Sequence, residues 1–319
     1  MGRSVWMWAL TALMACDGGG TDSTGGDDTD STDDTDPVTS VENDLSLTEE
    51  ATGDWSCFTP GTDFAGTTWL TQTLDPAKVT TLSLAGQVLD FEEDTPRTDV
   101  EVRLWYDDDA TGAPDIAGQA DEDGQVSLDA PSCTAQSYLA YPDPLLGEAK
   151  PTYKAHQVYG YQESGDFDAE FISVSTNTYL VVPAIVGITP DPTKSVIAGT
   201  AFDCTRSPDT LSDVEAGKVQ NVEVVVRDLD GNKVPGVYVR YFVEKFPDRD
   251  QQHTSADGLW TAINVPPGTF RLEMWGLIGG EERILGSTIL QTQADSINIA
   301  NIFGGYSGVK YPDGCVATE

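Results

Sequence analysis

Four cysteines, Cys57, Cys133, Cys204 and Cys315, are the residues whose number and spacing most directly predict a reaction. None of them belongs to a Cys-x-x-Cys pair, which disfavours a zinc or redox site. An even set of this kind is typical of two disulfides in a protein of an oxidising compartment. Three pairings are open, and we favour Cys57 with Cys133 and Cys204 with Cys315, because each bond would then close one domain.

Two turns carry carboxylates at alternating positions and could bind a cation. DLDGN contains Asp228, Asp230 and Asn232, and DEDGQ contains Asp121 and Asp123. Alternation lets oxygen ligands converge on Ca²⁺, but the glycine stands two places too early for an EF-hand loop and the distal Glu is missing. Asp-Gly and Gly-Asn also supply the positive φ of tight hairpins. We therefore favour structural turns and keep the residues of DLDGN as weak calcium candidates.

Residues for catalysis are scarce. The chain has two histidines, His156 and His253, far apart in sequence, and it contains no His-Glu-x-x-His. The segment GGYSGV around Ser307 is not a nucleophile elbow, because Val309 replaces the second glycine. We expect no catalytic residue, no cofactor and no enzyme activity. A hydrolase triad built from distant residues is the least favoured alternative.

Aromatic side chains offer a second binding chemistry. In HQVYGYQ, Tyr159 and Tyr161 are two residues apart and would stand on one side of a strand, as in a platform for a sugar ring. Burial in the core is the ordinary role of such residues in strands. Tyr159 and Tyr161 are therefore weak glycan candidates, and five tryptophans could serve likewise: Trp55, Trp69, Trp105, Trp260 and Trp275.

A fifth cysteine follows an apolar run near the start of the chain. Arg3 precedes VWMWALTALMA, which is too short for a permanent membrane span and is typical of an export signal. Leu13, Met14, Ala15 and Cys16 resemble the bacterial lipobox, although Met14 replaces the smaller residue usual there. The resemblance implies cleavage before Cys16 and acylation of its sulfur, which would hold the protein to a membrane. The alternative is an ordinary secretory signal with an incidental cysteine.

The chain is strongly acidic, with a formal net charge of −36. Such a surface repels phosphate backbones, so we expect no nucleic-acid partner. Residues 17–54 contain 13 Asp and Glu and no Lys or Arg. Because residues 17 to about 48 lack large apolar side chains, we expect a disordered tether between the anchor and the folded chain. Diffuse Ca²⁺ binding by this segment is the alternative.

Short alternating segments beyond the tether predict the fold class. In VEVRLW, Val100, Val102 and Leu104 share one face, while Glu101 and Arg103 share the other. The same alternation recurs in VEVVV from Val222, VYVRYFVE from Val237 and FRLEM from Phe270. Gly, Pro, Asn and Asp separate these segments. We predict an all-β protein with two Ig-like or transthyretin-like antiparallel β-sandwich domains.

A weak internal repeat supports two related domains. GQVLDF from Gly86 matches GTAFDC from Gly199, VEVRL from Val100 matches VEVVV from Val222, and EDGQVSL around Gly124 matches ADGLWTA around Gly258. At these residues the chain resembles the carboxypeptidase regulatory-like family of small transthyretin-like β-sandwiches. The resemblance is best over Ser195 to about Gly305, in VIAGTAFDC, VQNVEVVVRD, TSADGLW and VPPGTFRLEMWG. It is looser over Leu82 to Tyr141, and residues 142–194 have no clear counterpart.

The predicted organisation has four parts: a signal peptide (1–15), the lipidated Cys16 with its tether (16–54), a first sandwich with a connector (55–194) and a second sandwich (195–319). Within the connector, Ser175 or Thr176 could begin a short helix in which Pro183 would be unfavourable, whereas the β-branched residues favour an extended segment. We slightly favour a short helix or a packed connector that ends before Pro190. We expect a non-catalytic, membrane-anchored cell-envelope lipoprotein, facing the periplasm or the cell surface, with an unknown protein or glycan partner. A carbohydrate-binding surface module is the main alternative, followed by a calcium-binding adhesion module.

Overall fold

The computed structural model describes residues 45–58, 72–107, 109–162, 166–206 and 216–317. Cys16, the predicted signal peptide and most of the predicted tether lie outside these residues. The strands are β1 (Thr81–Asp90), β2 (Val100–Trp105), β3 (Ile116–Gln119), β4 (Gln125–Pro131), β5 (Gln136–Pro142), β6 (Ala149–Lys150), β7 (Thr152–Gln157), β8 (Asp166–Ser175), β9 (Ser195–Phe202), β10 (Val222–Arg227), β11 (Tyr238–Val243), β12 (Phe246–Asp248), β13 (Leu259–Val265), β14 (Gly268–Ile278), β15 (Glu281–Thr292), β16 (Ile297–Ile299) and β17 (Ile302–Phe303). One helix, α1 (Thr176–Ile185), and two short 3-10 turns, at Pro76–Lys78 and Asp313–Cys315, complete the described elements. No helix in this part of the chain is long and apolar enough to cross a bilayer.

The first module is a sandwich built from β1 to β8. One sheet has the order β4-β1-β8-β6, and the facing strands follow the order β7-β5-β2-β3. The apolar faces predicted from alternation meet between these layers: Val100, Val102 and Leu104 are fully buried, whereas Glu101 and Arg103 are half-buried. The core also includes Leu84 from β1 and Phe171 from β8, so both layers contribute to it.

The second module repeats this arrangement. The sheet β10-β14-β15 faces the strands β12-β11-β13-β9-β16, and both layers supply the core, including Leu272 and Trp260. The alternation of apolar and polar residues predicts burial less completely in this module than in the first. Val225 is buried although it lies on the opposite face from Val224, and Val243, on the predicted apolar face of β11, is 38% exposed.

The predicted all-β sandwich class is confirmed, but the sheets are not purely antiparallel. β1 pairs with β4 antiparallel and with β8 parallel, and β9 likewise pairs with β13 antiparallel and with β16 parallel. A parallel partner requires the chain to return from the far end of the module, which short-range alternation does not encode.

The internal repeat is visible in strand pairing. Strands β1 and β9, which carry the matched residues Gly86 and Gly199, occupy equivalent places, and β2 pairs with β5 as β10 pairs with β14. Backbone bonds match at the same offsets: Val88 N donates to Gly124 O at 2.9 Å, and Ala201 N donates to Gly258 O at 2.9 Å. The three matched sequence pieces therefore correspond to matched structural positions.

The two modules share one sheet. β16 of the second module pairs in parallel with β7 of the first, which joins the facing layers into a ten-stranded sheet. A third apolar cluster, including Val174, Tyr179 and Ile297, lies beside this junction, and Lys150 Nζ bonds Asp295 Oδ1 at 2.6 Å across it. The division into 55–194 and 195–319 therefore stays a prediction about folding units, because one sheet runs through both.

The connector contains a short helix, the slightly favoured of the two interpretations of its sequence. Ser175 is the N-cap, and its Oγ accepts a hydrogen bond from Thr178 N at 3.0 Å. The helix continues through Pro183 and ends at Ile185, before Pro190. Pro183 has no N–H to donate to the carbonyl four residues earlier, so the last part of the helix lacks one backbone hydrogen bond.

Candidate functional site

Two disulfides tie the ends of the described chain to the fold. Cys57 is bonded to Cys204 and Cys133 to Cys315, with Cα–Cα distances of 5.7 and 5.3 Å. The prediction of two disulfides is confirmed, but the favoured pairing of Cys57 with Cys133 and Cys204 with Cys315 is wrong. The bonds do not close one domain each; they are interleaved along the chain and join segments that are distant in sequence.

The segment that precedes the first module packs on the second. Ala51 N donates to Leu277 O at 3.0 Å, and Thr52 N donates to Gln220 O at 3.1 Å. The Glu50 carboxylate accepts bonds from the amides of Gly279 and Gly280, at 2.9 and 2.7 Å. Cys57 is thereby carried to Cys204 rather than to the first module.

The last described segment packs on the first module. Asp75 N donates to Cys315 O at 3.0 Å, and Ala317 N donates to Thr73 O at 2.8 Å. Gln72 and Tyr311 exchange two bonds, from Gln72 Nε2 at 3.1 Å and from Tyr311 N at 2.6 Å. We call residues 45–58, residues 311–317 and the two disulfides the terminal clasp. Each end of the described chain is held by the module farther from it in sequence.

A buried carboxylate organises the second-module side of the terminal clasp. Asp203 is 4% exposed; its Oδ2 accepts a bond from Asp54 N at 2.8 Å, and its Oδ1 accepts from Thr205 N at 3.0 Å. Lys310 Nζ donates to Cys204 O at 2.6 Å. Burial lowers the pKa of Lys310 to about 8, although Asp203 and Asp313 favour its charged form. These groups fix the backbone around one half of the terminal clasp.

Sequence reasoning missed this carboxylate, although the repeat contained a signal for it. The aligned pieces GQVLDF and GTAFDC place Asp90 opposite Asp203. Asp90 is also buried, and its Oδ1 accepts bonds from Glu92 N at 3.0 Å and Glu93 N at 3.2 Å. An acid at the same position in both copies, directly after an apolar strand, is typical of a carboxylate that caps turning backbone.

The candidate calcium turn is organised around its own carboxylate. Asp228 Oδ1 accepts a bond from Asn232 N at 2.7 Å, and Oδ2 accepts from Asn232 Nδ2 at 3.0 Å. The bonds from the Asn232 side chain and backbone lower the pKa of Asp228. Gly231 has φ +90°, as a tight reversal requires, and Asp230 lies at the exposed tip. This geometry is that of a hairpin turn.

The second acidic turn has the same character. Asp121 Oδ1 accepts bonds from Asp123 N at 2.9 Å and from Gln125 N at 2.8 Å, and Gly124 has φ +74°. Across the described ranges, no group of three or more His, Cys, Asp or Glu side chains is arranged to hold a metal ion.

We predict that Ca²⁺ at millimolar concentration leaves the Tm of the full chain unchanged, because the Asp228 carboxylate already has its hydrogen-bond partners. The measurement is a thermal melt after EDTA treatment, with and without Ca²⁺, and Mg²⁺ is the control. A rise in Tm above about 3 °C that disappears in Asp228→Ala would contradict the prediction, because a ligand bound only by the folded state stabilises it.

The predicted tyrosine platform does not form. Tyr159 is 3% exposed and packs in the first core, with its ring centroid 5.2 Å from that of Phe167. Tyr161 is half-buried, and Lys78 Nζ lies 4.1 Å from its ring centroid. Since β7 ends at Gln157, the two tyrosines are not on one strand, and only Tyr161 has accessible surface. The glycan assignment of Tyr159 is therefore wrong.

Most of the candidate tryptophans are also structural. Trp105 and Trp260 are 5% and 1% exposed. Trp55 Nε1 donates to Ala51 O at 3.2 Å, and Trp275 Nε1 donates to Glu273 Oε2 at 2.9 Å. Trp69 lies outside the described residues. No two of the described tryptophans are in ring contact with each other in this part of the chain.

The residues considered for catalysis are held by contacts with other parts of the fold. His156 Nε2 is 2.5 Å from Ile289 O on β15, whereas His253 lies beside Gln251 and Thr254. Ser307 Oγ accepts a bond from Ser287 Oγ at 3.2 Å. His156 and Ser307 therefore contact β15 at positions two residues apart, whereas His253 contacts residues of its own loop.

Comparisons with known proteins assign no family. The sequence matches no protein-family model and no curated protein. Among solved structures it is similar to the Bacillus anthracis TIE protein (TM-score 0.21, 10% identity, 70% of this chain and 34% of that chain). It is also similar to the shaft pilin SpaA from Lactobacillus rhamnosus GG (0.22, 9%, 70% and 98%) and to GBS52, the minor pilin of Streptococcus agalactiae (0.22, 10%, 75% and 100%). The chain thus spans about a third of the TIE chain. At these TM-scores the likenesses carry no argument about function.

Proposed function

We propose that this chain is an exported, lipid-anchored and non-catalytic protein of the bacterial cell envelope, which presents a rigid pair of β-sandwich modules. The terminal clasp is the observation that supports the proposal. Its two disulfides use all four described cysteines, and such bonds persist in oxidising compartments outside the cytosol. A chain that depended on them for its tertiary structure would require export.

Ser46, in the segment next to the proposed tether, is held by the second module. Ser46 N and Oγ donate to Glu223 Oε1 at 2.6 and 2.8 Å, on β10 of the second module. A tether that started at an acylated Cys16 would therefore join the fold at the second module. Two or three acyl chains would hold the protein to a bilayer, since each buried CH₂ contributes roughly 0.8 kcal/mol.

A structural or binding role agrees with the contacts of the polar residues, which bond mainly to the backbone. The buried acids Asp90 and Asp203 bond backbone amides, and the two histidines lie apart. With Tyr159 in the core, the carbohydrate-binding alternative loses the paired platform that supported it. No observation favours it above the structural role.

Replacing Cys16 by serine tests the anchor. We expect the wild-type chain to incorporate labelled palmitate and to sediment with membranes, and we expect Cys16→Ser to lose both properties. Thr21→Ser is the control, because it alters the acidic segment without touching the cysteine. A Cys16→Ser chain that still fractionates with membranes, at the same mass as the parent, would overturn the lipid anchor.

Protease treatment of intact cells then shows whether the protein faces the cell surface or the periplasm. Degradation of the wild-type chain without lysis would place it on the cell surface, and protection until the envelope is opened would place it in the periplasm. A periplasmic or cytosolic marker protein has to stay intact in the same samples.

A further inference from the structure

The two disulfides of the terminal clasp differ in their access to solvent. Cys133 and Cys315 are both 0% exposed, whereas Cys57 and Cys204 are both half-buried. Exchange between a thiol and a disulfide begins when a thiolate attacks one of the two sulfur atoms, so its rate depends on access to that sulfur. A reductant in solution can therefore reach the Cys57–Cys204 bond more readily than the Cys133–Cys315 bond while the protein is folded.

The Cys133–Cys315 bond lies between segments that are packed on each other. Cys133 N donates to Tyr159 O at 2.8 Å, and the preceding residue, Ser132, is also 0% exposed. On the other side of the bond, Cys315 O accepts from Asp75 N at 3.0 Å. A reagent reaches these sulfur atoms only when the segments separate, and such an opening costs free energy that an exposed bond does not require.

The more accessible bond fastens residues 45–58 to the surface of the second module. Among these residues only Ala51 is fully buried, and Trp55 and Phe58 pack against the second core while staying half-buried. Several of the hydrogen bonds that hold the segment join exposed groups. Such bonds add little net stability, whereas the conformational entropy of every ordered residue opposes attachment. The attachment of this segment therefore depends strongly on its covalent bond.

We propose that the Cys57–Cys204 bond is a reaction site for dithiols, and that its reduction releases residues 45–58 from the second module while the Cys133–Cys315 bond stays closed. This inference goes beyond the proposed function, and the reaction itself needs no membrane anchor. In a tethered protein the released segment would add up to about 50 Å of extended chain between the anchor and the modules.

The release reaction is a two-step thiol–disulfide exchange. A thiolate of the dithiol attacks one cysteine sulfur; a new S–S bond forms, the old one breaks, and the other cysteine leaves as a thiolate that takes a proton from water. The second thiolate of the dithiol then attacks the mixed disulfide and displaces the remaining cysteine. The protein disulfide gains two electrons, and the dithiol loses two as it becomes a cyclic disulfide.

The rates of reduction test the first part of the proposal, with dithiothreitol as the probe. The full chain carrying Cys16→Ser is reduced while folded, and samples are alkylated with iodoacetamide, digested and measured by mass spectrometry. Cys57 and Cys204 should be alkylated at least about tenfold faster than Cys133 and Cys315. In guanidinium chloride the two rates should agree within about threefold, because unfolding exposes all four sulfur atoms.

A glutamate-specific protease measures the release. After selective reduction and alkylation, cleavage at Glu49 or Glu50 should be at least about tenfold faster, because a protease acts on a segment that has left the surface. Cleavage at Glu93, an exposed residue of the first module, is the internal control and should not change. Cys57→Ala with Cys204→Ala should be cleaved like the reduced chain without reductant, since alanine removes the bond and adds no alkyl group.

Three results would overturn the inference. The first is equal rates of reduction for the two disulfides in the folded protein. The second is unchanged cleavage at the two glutamates of residues 45–58 after the accessible bond has been opened. The third is an equal rise in cleavage at the control site, which would indicate unfolding of the whole protein. None of them alters the fractionation result expected for Cys16→Ser, so the two proposals fail independently.

Discussion

Replacing Cys133 and Cys315 together by alanine lowers the free energy of unfolding by about 3–5 kcal/mol. The bond closes a sequence separation of 182 residues, and in the chain-entropy model such a long loop restricts the unfolded chain by about 5 kcal/mol, less any strain. Both cysteines are fully buried, and alanine leaves no unpaired hydroxyl in their place. Urea denaturation of the full chain carrying Cys16→Ser measures the difference.

Reduction of the parent chain provides the control. Reduced parent protein should be at least as unstable as the double variant, because reduction opens both disulfides. Adding Cys57→Ala and Cys204→Ala should cost at least the sum of the two separate pairs, because each bond removed alone leaves the other still restricting the shared part of the chain. A change below about 1 kcal/mol in the first variant would contradict the prediction. A peptide linking Cys57 to Cys133 in a non-reducing digest would overturn the pairing itself.

Gly199→Ala prevents folding or costs more than about 4 kcal/mol. A Cβ at this position would lie 1.7 Å from Ala300 O and 3.0 Å from Trp260 Cζ2. The carbonyl belongs to backbone beside β16, so relief requires β9 to move within the sheet that joins the modules. Soluble yield, resistance to proteolysis and urea denaturation measure the effect.

Alanine substitutions at two other glycines serve as comparisons for Gly199→Ala. Gly314→Ala should behave like the parent, because no atom lies within 4 Å of its Cβ. Gly86 is the equivalent residue in the first module, where a Cβ would lie 2.5 Å from Phe171 Cε2. A side chain yields more readily than backbone, so Gly86→Ala should be destabilising but milder. A Gly199→Ala chain within about 1 kcal/mol of the parent would contradict the packing described here.

Local patterns in the sequence predict the strands because they report which side chains face the core. Val100, Val102 and Leu104 alternate with Glu101 and Arg103, and the structure places them on the predicted faces. The N-cap of α1 was also predictable, because the Ser175 hydroxyl acts on an amide three residues away. These features depend on neighbours in sequence, and the residue types specify them.

Pairing between distant strands was not predictable in this way. The residues around Ile297 do not specify which strands β16 pairs with. Only the assembled fold places β16 between β7 and β9. The disulfides illustrate the same point. Four cysteines allow three pairings. The observed one depends on Ala51 bonding Leu277 of the second module and on Asp75, beside the first module, bonding Cys315 of the last segment. Long-range contacts of this kind leave no local signature.

The candidate sites show where residue types are ambiguous. A Tyr two residues from another Tyr fits a binding platform and a core equally well, and Tyr159 lies in the core because β7 ends before it. Asp228 is suited to a cation or to a turn, and its bonds to Asn232 identify the turn.

The interleaved bonds limit how far the protein can be stretched. If force acts between Cys57 and Cys315, the shortest covalent route runs along the chain to Cys133 and then crosses a sulfur bridge. That route contains roughly 76 residues and would reach about 250–275 Å when fully extended, whereas the reduced polypeptide would span roughly 258 residues and about 850–930 Å. A pulling force between these two cysteines would therefore make the chain taut early, with most of the second module still shielded from the load.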